Sequence, residues 1–213
     1  MKSMMQNEAL RIQQRHLEEL EKYPNASWMI DEVYLSQLKN HNTNFVGILN
    51  NSALVAAVSI FENVFKEVCE YAAIRKHKPR PEFRHEIVKH CKKFIKDKCE
   101  INLDEIEEHW PVINNGILVR HLITHENAIL PETKYEPKYR AVVEHIKNNN
   151  HFKIKNPRSK GPKQFMIIDH LYIFDFLTFA SDYLVWIVMQ LPHRKPAKRK
   201  TSKVKNLENQ ILW

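Results

Sequence analysis

The residues from 117 to 127 include one arginine and two histidines whose spacing places them together on a helix. Successive residues of an α-helix turn by roughly 100°, so Arg120, His121, Thr124 and His125 form one patch about 140° wide. The opposite side of the same helix is apolar and consists of Val119, Leu122 and Ile123. An imidazole exchanges protons near neutral pH and a guanidinium keeps its positive charge. The patch therefore combines proton transfer with a fixed positive charge.

The helix that carries this patch is otherwise built to be buried. Burying a guanidinium and two imidazoles without partners costs several kcal/mol, so we expect the patch to face a cleft or another subunit. A purely structural alternative stays open, in which Arg120 and His125 bind neighbouring carboxylates and serve only the fold.

The spacing between Arg120 and His125 is not specific by itself. An arginine is followed five positions later by a histidine four times in the chain, at Arg11/His16, Arg80/His85, Arg120/His125 and Arg140/His145. A polar residue directly follows the arginine only at Arg120. The residues after the other three arginines are Ile12, Pro81 and Ala141.

These features resemble the HEPN superfamily, whose ribonuclease members carry Arg, a polar residue, a few further residues and then His. The run from Arg120 to His125, RHLITH, has this form. In the run AVSIFE, Ser59, Phe61 and Glu62 are similar to an apolar-Ser-x-Phe-Glu segment in the first core helix of many such domains. The resemblance covers roughly residues 45 to 190, and His121 stands where the family usually has Asn.

The resemblance implies an endoribonuclease that uses no metal and no other cofactor. RNA would be cleaved by its own 2′-hydroxyl, leaving a 2′,3′-cyclic phosphate and a 5′-hydroxyl. In this scheme His125 acts as general base or acid, and Arg120 stabilises the charge of a phosphorane-like transition state. His121 orients His125 or contacts phosphate. The supporting residues of the implied site are His121, Thr124, Ser59 and Glu62.

Two such motifs usually meet across a dimer interface in the family, so the resemblance implies a cytoplasmic homodimer with a composite active site. Enzymes of this kind harm their hosts. A toxin or phage-defence effector, controlled by an antitoxin or another regulatory protein, is therefore implied. Two alternatives stay open. The first is that the chain is a non-catalytic helical module of the same fold that binds RNA or a protein. The second concerns only the supporting residues: Ser59 and Glu62 simply form a solvated helix face.

The pattern of elements predicts an all-α fold. Only three glycines occur in the chain, and the turns of β-sheets depend on glycine. Apolar residues recur at helical spacing in the segments 4–22, 27–39, 52–74, 82–98, 111–128, 138–148 and 169–190. The polar run from Asn40 to Asn44 is expected to end the second of these helices. We predict a HEPN-like helical bundle at 45–190, an N-terminal helical appendage at 1–40 and a small β-hairpin near 151–168.

The positive charge of the chain is concentrated at its end. The net charge is +8, and residues 192–213 contain seven Lys or Arg and one Glu, which leaves +6 in this segment. We expect a basic, flexible tail in which Lys198, Arg199 and Lys200 contact RNA phosphates. The alternative is a disordered end that only increases solubility.

Several other classes of protein are disfavoured by the sequence. Cys69, Cys91 and Cys99 are odd in number and lack CxxC spacing, which is typical of reduced thiols in a cytosolic protein. The apolar stretch 165–191 contains three aspartates, so we expect a buried core helix and no membrane span. His85, His90 and Cys91 have no complementary ligand pair at the usual spacing for zinc, and we expect no metal site.

Overall fold

The protein is described by a computed structural model that covers residues 2–83, 86–131, 139–155 and 161–192, with the side chains of the first few residues left out. Its α-helices are α1 (Lys2–Lys22), α2 (Ser27–Arg75), α3 (Ile87–Lys93), α4 (Trp110–His125), α5 (Arg140–Asn148) and α6 (Leu171–Met189). Short helical turns of other types span Pro24–Ala26, Phe94–Lys98 and Asp104–His109. The strands are β1 (Phe152–Ile154) and β2 (Phe165–Ile167). The prediction of a predominantly helical chain with a small hairpin is confirmed.

Helix α2 is one continuous helix of 49 residues, and the predicted break at Asn40–Asn44 is wrong. Polar residues do not end a helix when no proline is present and each side chain finds a partner or faces solvent. The Thr43 hydroxyl donates to the Lys39 carbonyl at 2.8 Å, one turn back in the same helix. The break at Pro24 is present, and it turns α1 back along the first half of α2, where His16 contacts Asp31.

The core forms where the second half of α2 meets α4 and α6. Phe61 and Phe65 of α2 contact Phe176 and Tyr183 of α6 edge to face, with ring centroids 5.9 and 6.0 Å apart. Gly116 of α4 lies against the Phe176 ring so closely that a Cβ atom at this position would overlap it. The apolar side of α4 is therefore seated directly on α6.

Helix α3 packs on α2 through buried cysteines. Cys69, Cys91 and Cys99 are all free thiols and all buried. The Cys69 thiol lies 3.7 Å from the Cys91 carbonyl oxygen. The hydrogen bond with Cys91 and burial together raise the pKa of Cys69, so this thiol stays protonated and acts as a core side chain.

The small hairpin is held to α2 by two amide side chains. Strands β1 and β2 are antiparallel, with Phe152 opposite Ile167. The Asn50 amide donates to the Ile167 carbonyl at 3.1 Å, and the Asn51 side-chain oxygen accepts from the Ile167 N–H at 3.1 Å. These bonds satisfy both backbone groups of Ile167 and attach the hairpin to the middle of the long helix.

Two helical segments, Pro24–Arg75 and α6, are long and apolar enough to cross a membrane by length and composition, a test that core helices of soluble proteins also pass. Helix α6 buries one side in the core, including Tyr172, Phe176 and Tyr183. Its other side leaves Phe174 and Met189 exposed.

Candidate active site

Helix α4 orients the predicted polar patch outwards. Pro111 lies in its first turn, where the missing N–H of proline removes no hydrogen bond. The buried side is formed by Ile113, Gly116, Val119 and Leu122. The helix ends at His125, because Asn127 and Ala128 take left-handed backbone conformations with φ of 53° and 57°. Arg120, His121, Thr124 and His125 lie on the other side, and we call them the α4 patch.

The two histidines of the α4 patch contact each other. The ring centroids of His121 and His125 are 4.6 Å apart, with an angle of 40° between the planes. His121 also stacks on the buried Tyr139, with ring centroids 5.9 Å apart and 26° between the planes. His125 is exposed and His121 is half-buried. His121 is therefore held between a core ring and His125, a position from which it can orient the exposed imidazole.

Arg120 is half-buried, and its Nε atom is buried without a hydrogen-bond partner among the described residues. Leaving such a donor unsatisfied costs on the order of 1–3 kcal/mol. Within the same part of the chain, no carboxylate pairs with Arg120 or with His125. The guanidinium is thus free to bind an anion.

Thr124 lies on the α4 patch, but its hydroxyl is engaged inside the helix. Its Oγ1 lies 3.0 Å from the Arg120 carbonyl oxygen and 3.3 Å from that of His121. In a helix that ends at His125, these two carbonyls also face the N–H groups of Thr124 and His125, so the hydroxyl adds a second hydrogen bond near the end of α4. The hydroxyl proton therefore stabilises the helix end that carries His125.

Ser59 and Glu62 lie on the flank of α2 and are half-buried. The Ser59 hydroxyl donates to the Val55 carbonyl at 2.9 Å, within its own helix. No hydrogen bond or ion pair joins Ser59 or Glu62 to the α4 patch in the described ranges. The structure does not bring these two residues into contact with Arg120 or His125. The predicted RNA-binding residues Lys198, Arg199 and Lys200 lie outside the described residues.

No family model, curated protein or solved structure matches the chain.

Another group of titratable side chains was not identified in the sequence. His151 Nδ1 lies 2.8 Å from an oxygen of Asp169, and His145 lies nearby on α5. In the sequence, Asp169 is distinguished only as one of the three aspartates within the apolar stretch 165–191. The position of Asp169 just before α6 could have indicated a fixed carboxylate, because aspartate at a helix start commonly accepts a hydrogen bond from the first N–H groups.

Candidate metal ligands do not cluster in the structure. Across residues 2–83, 86–131, 139–155 and 161–192, no three His, Cys, Asp or Glu side chains are grouped so that they could hold a metal ion. His90 and Cys91 are adjacent on α3, with His90 exposed and Cys91 buried, so they face different environments.

Proposed function

We propose that the protein is a metal-independent endoribonuclease of the HEPN type with Arg120 and His125 as its catalytic residues. The observation that carries this proposal is the half-buried guanidinium of Arg120, which has an unpartnered buried Nε and shares one helix face with two touching imidazoles. An arginine with a purely structural role is expected to pair with a carboxylate, and no carboxylate pairs with Arg120 within the described part of the chain.

The proposed reaction uses the RNA itself as nucleophile. The 2′-oxygen attacks the adjacent phosphorus, and the bond between phosphorus and the 5′-oxygen breaks. His125 takes the proton of the 2′-hydroxyl or supplies the proton of the leaving oxygen. Arg120 offers two N–H groups to the non-bridging oxygens, whose charge grows in the transition state. The products are a 2′,3′-cyclic phosphate and a 5′-hydroxyl.

His121 acts as a positioning residue in this scheme. Its ring is stacked on Tyr139 and touches His125, so it restricts the directions that the His125 ring can take. Holding the imidazole in one orientation raises the effective concentration of the base at the reacting hydroxyl.

The α4 patch is a convex helix face, and one exposed imidazole cannot serve as base and acid at the same time. A second copy of the chain would supply the second His125 and enclose the scissile phosphate. We therefore include a homodimer with a composite site in the proposal. The basic tail, with Lys198, Arg199 and Lys200, would add phosphate contacts along the RNA.

The proposed biological setting is cytoplasmic RNA cleavage by a toxin or defence effector that an antitoxin or similar partner restrains. A second candidate function, a non-catalytic helical interaction module, is favoured by the apolar side chains that α2 exposes. Ile60 and Ile74 are 60% and 67% exposed on this helix. Large apolar side chains that stay in contact with water are typical of a surface that binds another protein.

The test is an RNA cleavage assay on the full chain in EDTA, with analysis of the end groups. We expect cyclic phosphate ends, and a loss of about 10²-fold or more in Arg120→Ala and in His125→Ala. Arg11→Ala and His90→Ala are matched controls, because Arg11 also begins an Arg-x4-His sequence and His90 is an exposed helical histidine. If folded Arg120→Ala and His125→Ala proteins cleave as fast as the controls, the assignment of Arg120 and His125 as catalytic residues is wrong. If the wild type and the controls cleave no RNA, the interaction module is the better interpretation.

A further inference from the structure

An open cleft of about 600 Å³ lies beside α5, away from the α4 patch. Its walls are the exposed side of α5 and the turn that leads into β1, and they include Glu144, His145, Asn148 and His151. We call it the α5 cleft. It is polar and holds two histidines, so it offers hydrogen bonds and proton exchange in one concave site.

His151 is oriented from two directions. Its Nδ1 lies 2.8 Å from Asp169 Oδ2, and its backbone N–H donates to the side-chain oxygen of Asn149 at 2.8 Å. Asp169 is itself fixed, because its Oδ1 accepts from the Leu171 N–H at 3.0 Å in the first turn of α6. The backbone bond from Leu171, together with His151, lowers the pKa of Asp169, so the carboxylate is an anion. The Nε2 atom of His151 is the nitrogen left to meet a ligand.

His145 has a different environment in the same cleft. Its ring lies between Phe152 and Tyr172, with centroids 5.8 Å from each. Its Nε2 is buried without a hydrogen-bond partner among the described residues, so exchange with the cleft goes through Nδ1. Burial lowers the pKa of His145, and the charge of His151 acts in the same direction. His145 is therefore neutral at neutral pH and can accept a proton.

The chain segment that forms the α5 cleft carries a net positive charge, although Glu144 is the only Asp, Glu, Lys or Arg among the residues that line the cleft. Residues 139–155 contain Arg140, Lys147, Lys153 and Lys155 against the single acid Glu144, a net charge of +3 from four positive and one negative side chains. None of these five side chains forms an ion pair with another described residue. The unpaired positive charges favour an anionic ligand, and phosphate esters are the anions that neighbouring imidazoles bind and react with.

The geometry points to a second acid–base site in the α5 cleft, which takes a phosphodiester next to a free hydroxyl. His145 accepts the proton of the hydroxyl, whose oxygen forms a new bond to phosphorus. The bond from phosphorus to the leaving oxygen breaks, and His151 donates its Nε2 proton to that oxygen. Asp169 holds the His151 ring through Nδ1 and so directs Nε2 for the transfer. Exchange with water then returns both imidazoles to their starting states. This site shares only its substrate class with the α4 patch and needs neither Arg120 nor His125.

The test uses the full-length Arg120→Ala/His125→Ala double variant, so that activity from the α4 patch is removed. Two probes distinguish a small nucleotide from a strand: the dinucleotide uridylyl-3′,5′-uridine, which has a 2′-hydroxyl next to its phosphodiester, and a short single-stranded RNA. We expect one or both to be turned over by the double variant. Adding His145→Asn or His151→Asn should lower this turnover by about 10²-fold, whereas adding His90→Asn should not change it.

Binding is measured separately through the ring protons of the histidines by NMR, with uridine 3′-monophosphate as the probe. We expect the signals of His145 and His151 to shift and saturate in the double variant. If Asn at position 151 unfolds the chain, Asp169→Asn keeps the side-chain size and should still reduce turnover with little change in melting temperature.

Three results would overturn the second site. In the first, the NMR signals of His145 and His151 stay unchanged when uridine 3′-monophosphate is added. In the second, the double variant binds this probe but turns over neither substrate. In the third, the added substitutions at His145 or His151 change the melting temperature but leave turnover intact. Each of these leaves the proposal for Arg120 and His125 standing, because that proposal is tested by the activity of the protein with an intact α4 patch.

Discussion

The α4 patch and the α5 cleft each present two histidines, but they hold them in different ways. His121 and His125 touch each other on one helix, and no carboxylate pairs with His125 in the described part of the chain. In the α5 cleft, His151 is backed by Asp169 while His145 is separated from it and partly buried. The α5 cleft thus brings its two imidazoles together within one chain, whereas in the function that we propose the α4 patch would be completed by a phosphate and a second subunit.

The difference extends to positive charge. The α4 patch contains a guanidinium with an unpartnered Nε, which is suited to direct contact with a phosphate. The residues that line the α5 cleft include neither arginine nor lysine. We infer that the α4 patch depends on bidentate binding and the α5 cleft on oriented proton transfer.

The largest expected effect is that of Arg120→Lys on RNA cleavage. Lysine keeps the charge but loses the planar pair of donors, so we expect a decrease of about 10²-fold in the cleavage rate. Arg11→Lys is the matched control and should cleave at the wild-type rate. If Arg120→Lys is fully active in a single-turnover assay, positive charge alone suffices and the contrast with the α5 cleft disappears.

The next effect concerns the seating of α4. A Cβ atom at Gly116 would overlap the Phe176 ring, so Gly116→Ala should reduce the free energy of unfolding by about 1–3 kcal/mol in urea denaturation. Gly47 is a contrast beside β2, where a Cβ would lie 2.8 Å from the Met166 sulfur and 2.9 Å from the Met166 Cβ, a smaller overlap than at Gly116. Gly47→Ala should cost less, since the overlap is smaller and the thioether of Met166 can move. Equal costs would contradict this account of the α4–α6 contact.

A smaller effect is expected for His121→Phe. Phenylalanine preserves the stacking between Tyr139 and His125 but removes the ring nitrogens, so it separates packing from hydrogen bonding. If His121 only positions His125, we expect the cleavage rate to fall by less than about 10-fold. His121→Ala removes the ring and should lower kcat further, with KM nearly unchanged. A larger loss in Phe than in Ala would assign His121 a direct chemical role.

The smallest effect concerns the pH dependence of stability at the α5 cleft. Burial lowers the pKa of His145 below its ordinary value of 6.5. Just below that pH, His145 is therefore protonated in more of the unfolded chains than of the folded chains. The free energy of unfolding therefore decreases as the pH falls below that value. We expect the melting temperature to fall less between about pH 7 and about pH 5 in His145→Phe than in wild type. His90→Phe is the control, and parallel curves for His145→Phe and wild type would contradict the argument.

Helices and their polar faces could be predicted from the sequence, because both depend on residues within a few positions of each other. Pro24 ends a helix by its own chemistry, and the apolar positions of α4 and α6 recur every three or four residues. The predicted end of a helix at Asn40–Asn44 was wrong because the asparagines of this run are exposed and Thr43 bonds back to the Lys39 carbonyl. Other polar residues of the same helix depend on distant partners. Farther along α2, Asn50 and Asn51 are satisfied by Ile167, more than a hundred residues away.

The sequence by itself determined which residues of α4 lie together, since the helical repeat sets the neighbours of Arg120. Only the tertiary structure decided that His151 meets Asp169. The strands between them pair, and this pairing closes the chain so that the start of α6 faces the turn before β1. A contact across 18 residues depends on how that hairpin packs against α2, and no local pattern in the chain specifies it.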